Sequence, residues 1–321
     1  MTPGYDKPLY LLPFDHRHSY VTGMFKFQPP LTQAEHDYVV DSKRIIYEGF
    51  REAVGGGVAQ ASAGILVDEE FGAGILRDAM RNGYVTALST EKSGSDEFDF
   101  EYGTAFAQHI EAFNPTFAKV LVRYNPEGEA ALNRRQTARL KELSDYCRTS
   151  GPLLMFELLV PATAAQMARV HGDKGIYDSQ VRPGLMMQTL RTLQDAGIEP
   201  DIWKIEGLDR REDCERIVET ARRDGRGEVG CIVLGRGADE RKVVGWLETA
   251  AAVTGFIGFA VGRTTFWDAV ADYEAHTATR QEAVSRVAQR YLEWTTTFER
   301  ACAAREHAKG VRAVEQSARL K

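Results

Sequence analysis

Cysteine is scarce in this chain of 321 residues, which contains only four. They stand far apart, at Cys147, Cys214, Cys231 and Cys302, and no two have CxxC spacing. A disulfide framework and a cysteine-based zinc site are therefore not expected, and we interpret the four side chains as small buried hydrophobes. A reducing, cytoplasmic location is the corresponding prediction.

Long apolar runs and basic stripes are also missing. No run approaches the roughly 20 apolar residues that a membrane-spanning helix needs, so no membrane partner is expected. The N-terminal MTPGYDKPLY lacks the basic-then-apolar profile of a signal peptide. A formal net charge of −6 argues against a nucleic-acid partner. With 43% hydrophobic residues, the composition predicts a soluble globular protein with a large core.

The sequence does contain eight short apolar segments, each followed by a stretch of helical character. They are rich in Val, Ile, Leu and aromatic residues without strict alternation, which is typical of parallel strands covered on both faces. The segments are LYLLPFD (9–15), AGILVDEEFG (63–72), YVTALSTEKSG (84–94), AKVLVRYNP (118–126), PLLMFELLVP (152–161), DIWKIEG (201–207), VGCIVLGRG (229–237) and GFIGFAVGR (255–263). Eight such repeats predict an α/β fold, a (β/α)8 TIM barrel, as one domain over 1–310. An open doubly wound sheet is the alternative.

Helix boundary signals support this alternation. Thr32 and Glu35 have capping-box spacing before one predicted helix, and Asp209 and Glu212 have the same spacing before another. Both pairs therefore predict helix starts.

A long additional helix follows the eighth unit, from about Thr279 to Gly310, and a frayed tail is expected over 311–321. Its apolar positions are Val284, Val287, Tyr291, Leu292, Trp294 and Phe298. They predict that one face of the helix packs either on the barrel or on a second subunit of a homo-oligomer.

Charged residues occur within or directly after several of the apolar segments. In barrels of this class the chemistry collects at the carboxyl ends of the strands, and an unpaired charge buried there would be costly. The residues concerned are Asp15, Glu91, Lys92, Lys119, Arg123, Glu157, Lys204 and Glu206. Because neighbouring strand residues alternate between faces, Lys119, Glu157 and Lys204 are expected to point into the barrel together.

Each of these residues also has a purely structural interpretation. Lys204 could be a buried ion-pair partner of Glu157 or Glu206. Lys119 could lie at the bottom of its strand, and Asp15 could cap the following turn. The acidic loop SGSDEFDFEYG at 93–103 is expected to be a solvated lid rather than a metal site, because no histidine accompanies its carboxylates.

The last two strands lead into glycine-containing loops that carry arginines. Glycines let backbone N–H groups approach an anion, and a helix that begins near Thr264 would add its positive end. Loops after strands 7 and 8 recurrently bind phosphate in such barrels. The sequence therefore predicts a phosphate site formed by Gly235, Arg236, Gly237, Gly262 and Arg263.

These segments resemble, almost continuously from about residue 9 to 298, an aldolase family of inositol catabolism. It is the C-terminal domain often fused to 5-dehydro-2-deoxygluconokinase and assigned as a 2-deoxy-5-keto-D-gluconate 6-phosphate aldolase. The motifs that carry the resemblance are LPFDHR, GILVDEEFG, EKSGSDEFDFEYG, KVLVRYNPEG, FELLVPAT, DIWKIEGLDRREDCERIV, GCIVLGRG and GFIGFAVGRTTFWDA. More distantly the chain is similar to tagatose-bisphosphate aldolase and other Schiff-base aldolases. It departs from the family in lacking the kinase half and in having His18 where Gly is expected.

The resemblance implies that Lys204 forms an imine with the ketone of a sugar phosphate and that Asp15, Lys119 and Glu157 line the same pocket. The imine takes up the electrons of the broken carbon–carbon bond, so neither a metal nor a cofactor is expected. The products would be dihydroxyacetone phosphate and malonate semialdehyde. Since the attacking amine must be uncharged, its pKa, ordinarily about 10.4, would have to be lowered by burial and by a second ammonium, for which Lys119 is the candidate.

Several roles stay open in the sequence. The general base is Glu157 or Asp15, with Glu91 a weaker candidate. The cation for a carboxylate at the far end of the substrate is Lys92, Lys119 or Arg123.

Other functions are also open. A metal-dependent aldolase would need a histidine cluster, for which only His16 and His18 are available. A different ketose or sulfo-sugar phosphate as substrate, and a sugar-phosphate-binding regulator without turnover, are the remaining alternatives.

Overall fold

Eight parallel strands close into a barrel in the computed structural model, which describes residues 2–319 except for the side chains of 150, 309 and 311–319. Each strand pairs with its neighbours in the sequence, and the last pairs with the first. The strands are β1 Leu9–Pro13, β2 Ala63–Val67, β3 Val85–Ser89, β4 Phe117–Arg123, β5 Leu153–Leu159, β6 Ile202–Glu206, β7 Gly230–Leu234 and β8 Phe256–Ala260. The predicted (β/α)8 barrel is confirmed, because an open sheet would leave β1 and β8 unpaired with each other.

Helices occupy the connections between the strands and surround the barrel. They are α1 His18–Tyr20, α2 Gln33–Gly55, α3 Glu69–Arg81, α4 Phe106–Phe113, α5 Ala130–Ser150, α6 Ala164–Arg169, α7 Lys174–Ile176, α8 Arg182–Asp195, α9 Arg211–Ala221, α10 Glu240–Ala251, α11 Arg263–Glu274 and α12 Arg280–Arg319. Three further helical turns lie at Val21–Phe25, Gly103–Ala105 and Tyr177–Val181. No helix in the described part of the chain has the length and apolarity to cross a membrane.

The first predicted capping box is confirmed at the start of α2. The backbone N–H of Glu35 donates to Thr32 Oγ1 at 3.3 Å, and the carboxylate of Glu35 accepts from the backbone N–H of Thr32 at 2.8 Å. Two of the four N–H groups that a helix start leaves unpaired are satisfied in this way.

The second predicted capping box, at 209–212, is wrong. Helix α9 has Arg210 at its N-cap, with no side-chain cap. The Asp209 carboxylate instead accepts from Lys242 Nζ at 2.6 Å and from Trp246 Nε1 at 2.7 Å, both on α10. Partners from the next helix therefore occupy the carboxylate that the local spacing assigns to a cap.

The lower half of the barrel interior is filled by an apolar plug. Its buried members are Leu9, Leu11, Leu66, Ala87, Phe117, Met155, Ile202, Ile232 and Ala260. A second, larger core lies between the barrel and the helices and includes Val120 and Val122 of β4. The alternation predicted for β4 is thus confirmed. Above the plug, the barrel interior opens toward the carboxyl ends of the strands.

Helix α12 packs on the barrel and its surrounding helices. Tyr291 donates from its hydroxyl to the carbonyl of Tyr10 at 2.6 Å, and Trp294 Nε1 donates to Thr265 Oγ1 at 3.0 Å. The predicted apolar face is therefore used inside the chain. The backbone of α12 continues to Arg319, past the predicted helix end near Gly310, and residues 320 and 321 lie outside the described residues. That the tail at 311–321 frays stays a prediction.

A buried ion pair joins α2 to the end of β2. Lys43 and Asp68 are both completely buried, and the Lys43 ammonium contacts the Asp68 carboxylate. Asp68 also accepts from the backbone N–H of Phe71 at 2.8 Å, at the start of α3. Burial lowers the pKa of Lys43. The pair therefore fixes how α2 and α3 meet the barrel.

We expect Lys43→Met to lower the free energy of unfolding by about 3–5 kcal/mol, because it leaves the Asp68 charge buried without its partner. Urea denaturation followed by circular dichroism measures the loss. The control is Lys141→Met, which removes an exposed pair with Asp145 on α5 and should cost no more than about 0.5 kcal/mol. Equal losses in the two variants would contradict this account.

Candidate active site

A cavity of about 530 Å³ opens at the carboxyl ends of the strands. All the predicted site residues line it except Lys119, which lies beneath its floor. The predicted residues that line the cavity are Asp15, Glu91, Lys92, Arg123, Glu157, Lys204, Gly235, Arg236, Gly237, Gly262 and Arg263. The fold thus brings together residues from seven of the eight strands or the loops that follow them.

Lys119 is the centre of the charge cluster under this cavity. Its side chain is completely buried, and its ammonium lies 2.7 Å from Asp15 Oδ2, 2.7 Å from Glu91 Oε1 and 2.9 Å from Glu157 Oε2. Burial alone would lower the pKa of Lys119, but the three carboxylates outweigh burial and raise it well above its ordinary value. Lys119 is therefore a permanent cation and does not lie at the bottom of its strand.

Glu157 joins the two lysines. Its Oε2 lies 2.9 Å from Lys119 Nζ and 2.9 Å from Lys204 Nζ, so both amines contact the same oxygen. Burial would raise the pKa of Glu157, but the two ammonium groups outweigh it and lower that pKa. Lys204 faces the cavity, and Glu157 is its one ion-pair partner among the described residues.

The other two acids of the cluster differ in their electrostatics. Burial would raise the pKa of Asp15, but Lys119 and Lys204 hold it well below its usual range. Burial is the larger effect at Glu91, whose pKa is raised in spite of Lys119. Asp15 is thus held ionised, whereas Glu91 accepts a proton more readily. Asp15 does not cap the following turn, because Arg17 occupies the N-cap of α1.

The loops after β7 and β8 form a second charged region. Arg236 is already paired, since its Nη1 lies 3.0 Å from Asp178 and its Nε lies 3.0 Å from Glu206. Buried Glu206 also contacts Arg182 at 3.2 Å and accepts from the backbone N–H of Val160 at 2.9 Å. The guanidinium of Arg236 therefore holds its own loop against the wall of the barrel.

Arg263 has no carboxylate partner among the described residues. It begins α11, close to the predicted helix start, with Gly262 at the N-cap and no side-chain cap. Its Nη2 donates to the carbonyl of Arg236 at 2.8 Å. The guanidinium lies on Gly237, where a Cβ would stand 2.8 Å from its carbon, so a side chain at 237 would displace it. This end of the cavity therefore offers a guanidinium that has no carboxylate partner among the described residues and lies beside a helix N-terminus.

The acidic loop at 93–103 is better anchored than the predicted solvated lid. Phe98 and Phe100 are buried, and the carboxylate of Glu97 pairs with Arg135 at 2.7 Å and Arg139 at 2.8 Å on α5. The prediction of a solvated loop is therefore wrong for its second half, because two aromatic rings fix it to the core. No group of three or more His, Cys, Asp or Glu in the described chain is arranged to hold a metal ion.

Two cations line the side of the cavity opposite the arginine loops. Arg123 donates from Nη1 to the carbonyl of Ser95 at 3.0 Å and lies 3.8 Å from Asp96. The exposed Lys92 has no ion pair among the residues that the structure describes, and it also lines the cavity. Because β3 and β4 stand across the barrel from β7 and β8, positive charge is available at both ends of the cavity.

His16 and Arg17 also line the cavity, although neither is among the predicted imine, acid–base or phosphate-binding residues. Glu206, one of the charged residues noted at the strand ends, lines it too. Arg17 is buried, and it donates to Glu101 at 2.6 Å and to the carbonyl of Glu91 at 2.5 Å. The available signal was their position, since His16 and Arg17 directly follow Asp15 at the end of β1. When a dense polar cluster follows a strand, all of its residues are candidates for the site, and not only the first.

We expect Lys119→Met to lower the free energy of unfolding by about 3–5 kcal/mol at about pH 8 and by at least about 1 kcal/mol less at about pH 5. In the native protein, the pKa values of Asp15 and Glu157 are lower than in the unfolded chain. Their ionised forms therefore stabilise the fold fully above the unfolded pKa values, and this stabilisation is lost only in stronger acid. Without the cation, burial raises these pKa values, so the variant takes up protons on folding and regains stability on acidification.

Urea denaturation at the two pH values tests this prediction. The matched control is Lys204→Met, which removes one ion pair while Lys119 still neutralises the acids, and it should cost less. A loss that is the same at both pH values would refute the electrostatic explanation.

Comparison with known proteins gives a family and a fold. A search of curated protein sequences finds no match. In structure the chain is similar to a fructose-bisphosphate aldolase from Plasmodium falciparum, solved in complex with TRAP and a small-molecule inhibitor. The TM-score is 0.61 at 12% identity, over 93% of this chain and 97% of the other. At this identity the likeness shows the fold alone.

Two bacterial structures give the same result. The protein Cgl0159 from Corynebacterium glutamicum has a TM-score of 0.53 at 16% identity, over 91% of this chain and 88% of the other. A fructose-bisphosphate aldolase from Slackia heliotrinireducens has a TM-score of 0.52 at 12% identity, over 88% of this chain and 86% of the other. In sequence, the family described as "Uncharacterized protein conserved in bacteria (DUF2090)" matches residues 4–302. The chain therefore belongs to the DUF2090 family.

Proposed function

We propose that this protein is a class I aldolase that cleaves a phosphorylated keto sugar through an imine on Lys204. The observation that carries the proposal is the contrast between the two lysines. Lys119 is tied to three carboxylates beneath the cavity floor, whereas Lys204 faces the cavity and pairs with one carboxylate that it shares. The structural likeness to two fructose-bisphosphate aldolases supports the choice of a barrel of this class.

Glu157 is suited to the proton transfers of imine formation. Its oxygen lies 2.9 Å from Lys204 Nζ, so it can take the proton that the amine must lose before attack. The amine nitrogen then bonds to the ketone carbon, and the former carbonyl oxygen leaves as water after it has received two protons. Glu157 can return one of these protons from the same position.

Asp15 is the proposed base for carbon–carbon cleavage. It lines the cavity, and among the described residues it pairs with Lys119 through Oδ2 only, which leaves Oδ1 for a substrate hydroxyl. When that hydroxyl loses its proton, its carbon becomes an aldehyde and the broken bond's electrons move into the protonated imine. The resulting enamine takes a proton on carbon, and hydrolysis releases the ketone product and Lys204.

The phosphate is assigned to Arg263 and the start of α11. Arg236 belongs to the same loops, but Asp178 and Glu206 already neutralise it, so its proposed role is to hold the loop rather than to bind phosphate. The Arg263 guanidinium, whose charge no carboxylate among the described residues neutralises, combines fork geometry with the positive potential of a helix N-terminus for a dianion.

The proposed substrate is 2-deoxy-5-keto-D-gluconate 6-phosphate, cleaved to dihydroxyacetone phosphate and malonate semialdehyde. With the ketone at Lys204 and the phosphate at Arg263, the far carboxylate extends toward Lys92 and Arg123. The cations at both ends of the cavity support a substrate with two anionic ends. A ketose bisphosphate or a sulfo-sugar phosphate also has this charge pattern, so the assignment among the three depends on the resemblance of the sequence motifs.

Borohydride reduction with dihydroxyacetone phosphate should add covalent mass to the protein at Lys204, because borohydride reduces the imine to a stable amine. Mass spectrometry of peptides locates the addition. Lys204→Ala should show none, whereas Lys92→Met, which removes the other cavity-facing lysine, should be labelled as the unaltered protein is.

The same experiment in excess EDTA separates this mechanism from a metal-dependent one. Labelling and turnover that both survive the chelator agree with the imine. Binding of the sugar phosphate without labelling would instead identify a regulator that has the pocket but no reaction.

Arg263→Ala should raise KM about ten- to a hundredfold, the cost of one charge-assisted contact to phosphate, while labelling persists at high ligand concentration. Steady-state kinetics and half-saturation of labelling both measure the change. Arg300→Ala is the control, since this exposed residue lies on α12 and pairs with Glu248 at 3.5 Å. An unchanged KM would remove Arg263 from the phosphate site.

A further inference from the structure

His16 is a histidine in the cavity wall whose hydrogen bonding is incomplete. It directly follows Asp15 and lines the cavity. Its Nδ1 is shut off from solvent and has no hydrogen-bond partner among the described residues. Because His16 lines the cavity and its Nδ1 is shut off, Nε2 is the ring nitrogen left to face the cavity. A histidine whose role was only to pack would be expected to have its buried nitrogen satisfied.

The fold places His16 beside the proposed phosphate site. Strands β1 and β8 are neighbours, with Leu11 opposite Ala260, so the loops that carry His16 and Arg263 leave the barrel side by side. The ring of His16 packs edge-on against Phe266 of α11, with centroids 6.1 Å apart. The imidazole therefore stands against the same helix whose first residue is Arg263.

The surroundings of His16 keep its imidazole uncharged. Burial is the main cause and lowers the pKa of His16 to about 4. Asp15 acts against this shift, and the cations of Arg263, Lys43 and Lys204 reinforce it. Lys204 and Arg263 are thus both close enough to His16 to act on its charge.

The unpartnered nitrogen also indicates which tautomer is present. A neutral imidazole has one N–H and one lone pair, and a buried N–H without a partner is less tolerable than a buried acceptor without one. The proton is therefore favoured on Nε2, where it points into the cavity. This nitrogen stays a donor when the ring is protonated, so a bound dianion meets a donor in either form.

We infer that His16 contacts the substrate and that its Nε2–H donates a hydrogen bond to a phosphoryl oxygen, next to Arg263. The identity of the ligand rests on the proposed function. Because the imidazole adds a donor without adding a charge, it would help to select a phosphorylated ketone over the same ketone without phosphate.

Three variants of the full chain test the contact. The amide N–H of His16→Gln reaches about as far as Nε2 of the histidine. That of His16→Asn reaches about as far as Nδ1, and His16→Phe has no side-chain donor. The concentration of dihydroxyacetone phosphate that gives half-maximal borohydride labelling should rise about tenfold or more in the Phe and Asn variants. It should stay within about threefold of the unaltered protein in the Gln variant. With dihydroxyacetone, which has no phosphate, all four proteins should label alike.

Several results would overturn the inference. Labelling of His16→Phe at unaltered concentrations of dihydroxyacetone phosphate would remove the contact. An equal loss with dihydroxyacetone would mean that the residue acts on the carbonyl end or on folding. Rescue by Asn with failure of Gln would reverse the assignment of the nitrogens.

A calorimetric titration separates this inference from the aldolase proposal. Dihydroxyacetone phosphate is titrated into Lys204→Ala with and without His16→Phe, so that no imine is involved. If neither ketone labels the unaltered protein, the imine mechanism fails. The calorimetric comparison still decides the His16 contact in that case. A tenfold weaker affinity in the double variant supports the contact, and equal affinities refute it.

Discussion

One buried ammonium group organises the mouth of this barrel. Lys119 holds Asp15, Glu91 and Glu157, which come from three different parts of the chain, within 2.9 Å of one nitrogen. Three acids this close to one another in an apolar barrel would otherwise take up protons. With the cation in place, Asp15 and Glu157 stay ionised, and Glu157 can serve Lys204 as well. The division of roles in the proposed reaction follows from this arrangement.

Much of the fold was predictable because its signals are local and repeated. Eight apolar segments with helical stretches between them leave few alternatives to a closed parallel barrel. The strict alternation of strand faces also placed Lys119, Glu157 and Lys204 on the interior side without any knowledge of their partners. The second charged region was predictable as well. Glycines and arginines are the residue types that bind phosphate, and they follow β7 and β8, where barrels of this kind recurrently bind it.

The remainder depended on contacts between distant parts of the chain. Nothing near Arg236 in the sequence shows that Asp178 neutralises it, because the turn before α8 and the loop after β7 meet only in the folded barrel. Asp209 has the spacing of a cap, but a tryptophan and a lysine of α10 take its carboxylate. The incomplete hydrogen bonding of His16 is likewise a property of the packed wall. Spacing identifies the residue types of a site, whereas tertiary contacts decide which of them are free.

The apolar plug in the lower barrel limits how the site exchanges with its surroundings. Phe117, Met155 and Ile232 fill the barrel interior beneath the charged residues, and the cavity that Lys204 lines opens at the carboxyl ends of the strands. A ligand bound at the mouth then blocks this opening to solvent. In the proposed reaction, the water for the last hydrolysis is therefore either enclosed with the ligand or enters through the mouth once the first product has left.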